Sequence, residues 1–280
     1  MSAVPRDWVP GLEAEIRRAG ATLLAVHDKL DPADVRWKQD ASGEPSVVTR
    51  WDLEIESQLR DYLGREFPAH SFLGEETGND RRDPAHYWLL DPIDGTSNFV
   101  DGIPYWGTSL AYWHAGRIEL GLVHFPVLGR MFVAVRGGGA WADGQRLCTP
   151  PVRQYTARSC IALDSRSHLR HTLHLRSRVR ILGSAIANLC FTATGVFVAS
   201  CTRGMLWDVA AGDLLLREAG AAVESTPEIA GLDPARSALD GAPSEPRITL
   251  LARASSELPS LAGFLRPAAN PPAAAAPGHS

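Results

Sequence analysis

No run of about 18 apolar residues occurs in the 280-residue chain, so the sequence offers no helical membrane span. Basic residues are not in excess. Lys and Arg total 28 against 32 Asp and Glu, a formal net charge of −4, which gives no general electrostatic case for nucleic-acid binding. The four cysteines (Cys148, Cys160, Cys190, Cys201) form no Cys-x-x-Cys pair. They are expected to be reduced and mostly buried thiols of a cytoplasmic protein. The N-terminal stretch "MSAVPRDWVPGLEAEIRR" has no basic-then-apolar signal pattern. There is no Gly-x-x-x-x-Gly-Lys-Ser/Thr phosphate loop and no internal repeat. What remains is a globular composition, 45% hydrophobic and 21% charged, in a chain long enough for one large domain or two small ones.

Apolar residues recur at helical spacing in Leu12, Ile16, Ala19, Leu23, Val26 and Leu30, which predicts an amphipathic first helix. "DASGEPS" (40–46) is a turn-rich break. A short extended piece and a second helix follow. Thr49 and Asp52 stand in capping-box spacing there, and Ile55, Leu59 and Tyr62 form its buried stripe. The apolar run at 87–90 predicts a central strand. "GTSLAYW", "IELGLVHF" and "RMFVAV" predict an antiparallel meander, and "GGGAWADGQRL" a hairpin. In the second half, "SCIALD", "VRILG", "VFVASC" and "RITLLARA" read as strands. "SAIANLCFTATG" and "DVAAGDLLLREAG" read as helices ending at Gly195 and Gly220. The pattern predicts layered sheets with helices between and outside them. One catalytic domain is expected over 1–266, in two halves of about 1–150 and 151–266. The Pro/Ala-rich tail 267–280 is expected to be disordered.

The stretch "LLDPIDGTSNF" (89–99) ends an apolar run in two carboxylates, Asp91 and Asp94. Strand carboxyl ends are the usual ligand sites of α/β sheets. Pro92 stiffens the turn, and Gly95 frees the backbone for a conformation other residues resist. A helix opening at Thr96 would turn free N–H groups towards an anion. Two close carboxylates repel, so a cation belongs between them. A hard divalent ion such as Mg²⁺ needs further oxygen ligands. "FLGEE" supplies Glu75 and Glu76, and "WDVAAG" supplies Asp208. Singly, each acid reads as a solvated turn or a helix cap. Together, at the ends of apolar elements beside Gly, Pro or Trp, they read as a metal site.

"GEE", "DPIDGTSNF" and "WDVAAG" together resemble the inositol monophosphatase family of metal-dependent phosphomonoesterases, over about Lys38 to Val223. "VVTRWD" (47–52) and "LGSAIANLCFTATG" resemble two further elements of that family. The resemblance implies an α/β/α/β/α five-layer sandwich, shared with fructose-1,6-bisphosphatases, and a lithium-sensitive homodimer. It implies that Glu75, Asp91, the Ile93 carbonyl, Asp94 and Asp208 hold two or three Mg²⁺ ions per site. Thr96, hydrogen-bonded to Asp52, would position the attacking water, with Glu75 also taking part in the chemistry. Gly95, Thr96 and Ser97 would hold the phosphate. Gly183, Ser184 and Ala185 would contact the leaving alcohol. The implied reaction is hydrolysis of a small phosphomonoester to alcohol and phosphate by metal-activated water, with no covalent nucleophile. Histidinol-phosphate phosphatase, 3′-phosphoadenosine nucleotidase, and a regulatory binding protein that keeps the fold are the alternatives.

The chain departs from the family pattern before "WD". Thr202 stands about where inositol phosphatases carry an acidic residue that contacts substrate hydroxyls, and an apolar residue near Val198 replaces another acid. Arg203 is either a solvated loop residue or a receptor for a second anionic group of the substrate. "RSHLRHTLHLRSRVR" (166–180), with five arginines and three histidines, reads as a solvated helix or loop, with a substrate-steering wall or a zinc site at His168, His171 and His174 as the functional alternatives.

Overall fold

The computed structural model describes residues 7–39, 45–229, 234 and 248–268. In chain order, helix α1 (Trp8–His27) leads to strands β1 (Val35–Gln39) and β2 (Pro45–Thr49), then helix α2 (Arg50–Glu66). Strands β3 (Ser71–Gly74), β4 (Gly78–Asp80) and β5 (His86–Asp94) precede the short helix α3 (Thr96–Asp101). The meander and hairpin are β6 (Gly107–His114), β7 (Arg117–Phe125), β8 (Arg130–Val135), β9 (Gly139–Ala142) and β10 (Gln145–Leu147). Then come β11 (Cys160–Leu163), α4 (Ser167–Arg170), β12 (His171–Leu173), β13 (Arg178–Ile181) and α5 (Ala185–Ala193). The order closes with β14 (Ala199–Gly204), α6 (Leu206–Glu218), β15 (Ala222–Thr226), β16 (Ile248–Arg253) and β17 (Leu265–Pro267).

The main sheet has eight strands in the order β10-β9-β8-β7-β6-β5-β3-β4, and the second has five in the order β13-β11-β14-β16-β15. Side chains alternate across β5, and this alternation builds two cores. Trp88 and Leu90 join Leu12, Ile16, Leu23, Ile55 and Leu59 of α1 and α2. Tyr87 and Leu89 face the other way, onto Ile186, Leu189, Val209 and Leu214 of α5 and α6, and on to Ile248, Leu250 and Ala252 of β16. The layers are therefore α1–α2, large sheet, α5–α6 and small sheet. The far face of the small sheet is covered by Leu261 with partly buried Tyr155, Leu175 and Leu265.

The first helix carries its predicted stripe on Leu12, Ile16, Ala19 and Leu23, but it ends before Leu30. Thr49 and Asp52 close a capping box on α2; Tyr62 is only half-buried, and Leu63 fills the stripe instead. The strand expected over "VFVASC" is displaced towards its C-terminus. Val196 is exposed, whereas Ala199–Gly204 pair along the whole of β16. An aliphatic run marks β-propensity, but partner strands choose which residues enter the sheet. This shift places Thr202 and Arg203 in β14, not in a loop. Residues 166–180 are likewise not one solvated segment, since they hold α4, β12 paired with β17, and β13 parallel to β11. Of the four thiols, Cys190 and Cys201 are buried, Cys160 is half-buried and Cys148 is exposed. Most of the "DASGEPS" break and of the Pro/Ala tail lies outside the described residues.

Candidate active site

Strand β5 ends where two of its neighbours stop. Parallel β3 delivers Glu75 just past its last residue, and the Glu75 N–H donates to the Leu90 carbonyl at 3.2 Å. The pairing of β5 with β6 is irregular between Asp91 and Asp94, which releases the Pro92–Ile93 turn from the ladder. Asp208 arrives from the first turn of α6, where it is not the cap itself: Met205 caps, and its N–H donates to Asp208 Oδ2 at 2.7 Å. One oxygen each from Glu75, Asp91 and Asp208 lies within 4.8 Å of the others, and among the described residues this is the one such cluster. His168, His171 and His174 form none, so the zinc reading has no support there.

Such crowding is costly without a cation. Burial raises Glu75 to about 8; Lys38 opposes the shift, and the charges of Asp208 and Glu76 reinforce it. Asp91 is pushed well above the ordinary carboxylate range by burial and then by Glu75, Asp94 and Asp208. Lys38 on β1 brings a cation to the group: its Nζ lies 3.3 Å from Glu75 Oε1 and also contacts Glu76. Burial alone would lower the Lys38 pKa, but the two glutamates more than offset this and raise it. Three converging carboxylate oxygens with no soft ligand fit a hard divalent cation of the Mg²⁺ type.

Asp94 behaves differently from the other predicted ligands. Its oxygens accept from the Ser184 hydroxyl, the Ala185 N–H at 3.1 Å and the Ile186 N–H at 3.2 Å. It thus caps α5 across the fold from β5, while Ser184 caps the same helix locally through the Ala187 N–H at 3.1 Å. Burial raises Asp94 to about 6, opposed by these three donors. Asp94 therefore ties the acidic cluster to Gly183–Ala185 without converging on the triad.

Thr96 opens α3 directly after Gly95, which has φ +85°. A Cβ at Gly95 would come within 2.9 Å of the Tyr105 carbonyl, so the turn needs glycine twice over. The Thr96 hydroxyl lies 3.1 Å from Asp52 Oδ1 and 2.9 Å from the Ile93 carbonyl. It has one hydrogen to donate between these two acceptors. The other Asp52 oxygen accepts from the Thr49 N–H and hydroxyl, both at 2.7 Å. Asp52 is fully buried, and burial raises it to about 6 against these hydrogen bonds.

A cavity of about 280 Å³ opens beside Asp94 and Asp208 and is lined by Ser97 and by Gly183–Ala185. Arg203 lines it, and so do Arg166 and Arg170 of the 166–180 segment, for which a substrate-steering wall was one of the alternatives. The spacing Cys160-x₅-Arg166 coincides with that of a phosphocysteine phosphatase loop. Here Ile161–Leu163 are strand, and Cys160 and Arg166 lie at its opposite ends, so the run does not wrap an anion.

The comparisons with known proteins now have a geometry to attach to. A profile of the inositol monophosphatase family matches residues 8–256. The chain belongs to the inositol monophosphatase family. It is 31% identical over 215 residues to the fructose-1,6-bisphosphatase/inositol-1-monophosphatase of Thermotoga maritima, spanning 74% of this chain and 80% of that one. It is 35% identical over 228 residues to the histidinol-phosphatase of Mycobacterium tuberculosis, covering 74% and 87%. The solved Thermotoga maritima IMPase superposes with a TM-score of 0.71 at 26% identity, covering 89% of this chain and 92% of that one. The fold is that of this family, and phosphatase activity is the general function it carries.

Three further residues of this inositol monophosphatase relative escaped sequence reasoning. Lys38 appeared in the sequence only as the approximate start of the family resemblance, with no role attached to it. Glu56 looks like an ordinary surface glutamate of α2, yet it is fully buried. It accepts from the Glu76 N–H at 3.0 Å, the Thr77 N–H at 2.7 Å and the Thr77 hydroxyl at 2.5 Å, and so shapes the loop that carries Glu75. Asn98 donates to the Tyr105 and Leu182 carbonyls, both at 2.7 Å, and locks α3 onto the Gly183 turn. Gly183, at φ +79°, leaves no room for a Cβ, which would sit 2.6 Å from Asn98 Oδ1.

Proposed function

We propose that this protein is a Mg²⁺-dependent phosphomonoesterase that hydrolyses a small alcohol phosphate with water as nucleophile. The observation that carries the reading is the meeting of the Glu75–Asp91–Asp208 cluster with the Asp52–Thr96 pair at one sheet end. Glu75, Asp91 and Asp208 would hold the cation, with the Ile93 carbonyl and Asp94 close by. Such an ion supplies charge neutralisation for the phosphoryl group and acidifies water.

The chain's own residues supply orientation and proton movement. With its hydrogen directed to Asp52, the Thr96 hydroxyl offers lone pairs to a water hydrogen. As that water adds to phosphorus, its proton passes to Thr96 Oγ1 and the Thr96 proton passes to Asp52 Oδ1. A carboxyl held near 6 is mostly ionised at neutral pH and still basic enough to take it. The N–H groups of Gly95 and Thr96, at the start of α3, supply donors for phosphate oxygens, with Ser97 beside them. Gly183, Ser184 and Ala185 wall the side on which the alcohol leaves. The departing alkoxide takes its proton from solvent.

The test is phosphate release from a panel that includes inositol 1-phosphate, glycerol 2-phosphate and histidinol phosphate, with Mg²⁺ and with chelator. Release that needs Mg²⁺ and disappears in Asp91→Asn supports the reading. Release insensitive to chelation, or none from any ester, would overturn it in favour of a binding role.

A further inference from the structure

We propose that this protein has a second small-molecule site, away from the acidic cluster, for an α-amino acid with an apolar side chain. The site is a cavity of about 310 Å³ between the N-terminal half of α1 and strands β8 and β9 of the large sheet. Helix α1 packs chiefly on β6 and β7, so its flank, not its buried stripe, faces β8 and β9. Val9, Glu13 and Arg17 recur every four residues and form that flank. Met131, Val133 and Val135 alternate along β8 and make the floor, and half-buried Trp141 stands directly across from Val133 in the β8–β9 register. Strand β8 lies three places from β5 in the sheet order, about 14 Å at the usual strand spacing. The cavity shares no lining residue with the one beside Asp94 and Asp208. The inference therefore stands apart from the phosphatase reading.

Glu13 and Arg17 are the charged groups in this otherwise apolar lining. They stand one turn apart on α1 with the glutamate first, the spacing and order at which a helix ordinarily forms an ion pair. They form none here, and neither has another hydrogen-bond or ion-pair partner among the described residues. The charged neighbours are engaged elsewhere. Glu15 pairs with Arg18, Asp143 pairs with Arg130, and the Arg146 guanidinium stands over the Trp141 ring, 5.9 Å from its centroid. His124 packs against Gly20 of the same helix; burial first and then Arg17 lower its pKa to about 4, so it is neutral. The lining thus holds one unpaired charge of each sign.

A ligand with one charge would pair one of these groups and leave the other bare. An α-amino acid carries an ammonium for Glu13 and a carboxylate for Arg17 on a single carbon, and a guanidinium matches a carboxylate in geometry as well as charge. Its side chain then covers Val133, Val135 and Trp141 and gains the transfer energy of apolar burial. The volume suits one small molecule, since ligand sites run from about 300 to 1,000 Å³. A partner helix, about 10 Å across, needs a longer groove. No hydroxyl, thiol or imidazole lines the cavity, and it holds no metal-ligating cluster, so the site binds its ligand without reacting with it.

Isothermal titration of the Mg²⁺-loaded full chain with L-leucine and L-phenylalanine tests this. At least one is expected to bind once per chain, with glycine at least about tenfold weaker because it covers none of the apolar floor. Matched analogues remove one charge at a time. 3-Methylbutylamine and 2-phenylethylamine lack the carboxylate; 4-methylpentanoate and 3-phenylpropionate lack the ammonium. Each should bind about tenfold or more weakly than its parent, the size of a charge-assisted contact. Arg17→Gln should remove the preference over the amine and keep that over the acid, and Glu13→Gln should do the reverse. Glutamine is a good helix former and both positions lie on the helix flank, so the variants should fold, which melting temperatures check. No binding of either amino acid at millimolar concentration overturns the inference. An acid or amine analogue that binds as tightly as its parent overturns it too, because one charge then suffices. Preferences unchanged in both glutamine variants overturn the assignment to this cavity. None of these outcomes bears on the phosphatase reading, which phosphate release tests separately.

Discussion

Cation binding to the acidic cluster should expel protons, and the count follows from the structure. In the cation-free protein, Glu75 titrates at about 8, because it is buried beside Asp208 and Glu76 with only Lys38 in opposition. At pH 7 a group with that pKa is about 90% protonated, so seating Mg²⁺ against Glu75 releases about 0.9 proton. Asp91, also raised, adds to this number. Below pH 8 the apparent Kd should therefore fall about tenfold for each pH unit gained. The stability consequence has a definite sign. The folded-state pKa of Glu75 lies above its unfolded value, so its contribution is complete below the unfolded pKa of 4.5 and is lost as pH rises through about 8. The cation-free protein should thus melt lower at pH 8 than at pH 5, and Mg²⁺ should raise the melting temperature most at the alkaline end. Isothermal titration in two buffers of different ionisation enthalpy counts the protons directly. Binding heats that do not depend on the buffer, or a Kd that is the same at pH 6.5 and 8.5, would show that the cluster is not a protonated site awaiting a cation.

Replacing Asp91 or Asp208 by Asn keeps shape and removes charge. Each should lower kcat by about 100-fold or more, the scale of losing a key electrostatic element, with circular dichroism unchanged; an active Asp208→Asn would reduce that residue to a capping partner of Met205. Thr96→Ala and Asp52→Asn should each lower kcat more than they raise KM. The double variant should cost little more than either alone, because one hydrogen bond of 3.1 Å joins them; strictly additive losses would separate their roles. Activity should rise with pH through about 6 as Asp52 loses its proton, and this limb should vanish from the pH profile of Asp52→Asn. Glu56→Ala leaves the Glu76 and Thr77 N–H groups without their acceptor. It should destabilise the fold by about 2–4 kcal/mol, read by urea denaturation, and weaken cation binding through the Glu75 loop; a loss below about 0.5 kcal/mol would mean that other groups or water take over both donors.

Local rules were enough to read a good part of this chain. The stripe of α1, the capping box of α2, the meander of β6 to β8 and the abrupt end of β5 in Asp91 and Asp94 all depend on residues a few positions apart. Periodicity and turn chemistry act over that range, so they are legible in one dimension. The family motif added the roles of Thr96, Asp52, Glu75 and Asp208 by resemblance, which is information about relatives rather than about spacing. Tertiary structure decided the rest. Asp52, Glu75, Asp91 and Asp208 come from four elements, and only the stacking of two sheets around α5 and α6 brings three of their carboxylates within 4.8 Å. Asp94 sits in the same motif as Asp91, yet it turns onto the N-terminus of α5, a helix 90 residues further along. No local pattern shows that partner. Glu56 and Lys38 are ordinary surface residues by type, and burial against the Glu75 loop alone makes them part of the site. The register of β14 was set by β11 and β16 and not by its own aliphatic run. That shift placed Arg203 in the lining of the same cavity as Arg166 and Arg170. Strand pairing and burial are properties of distant residues taken together, and a sequence read in windows of a few residues does not contain them.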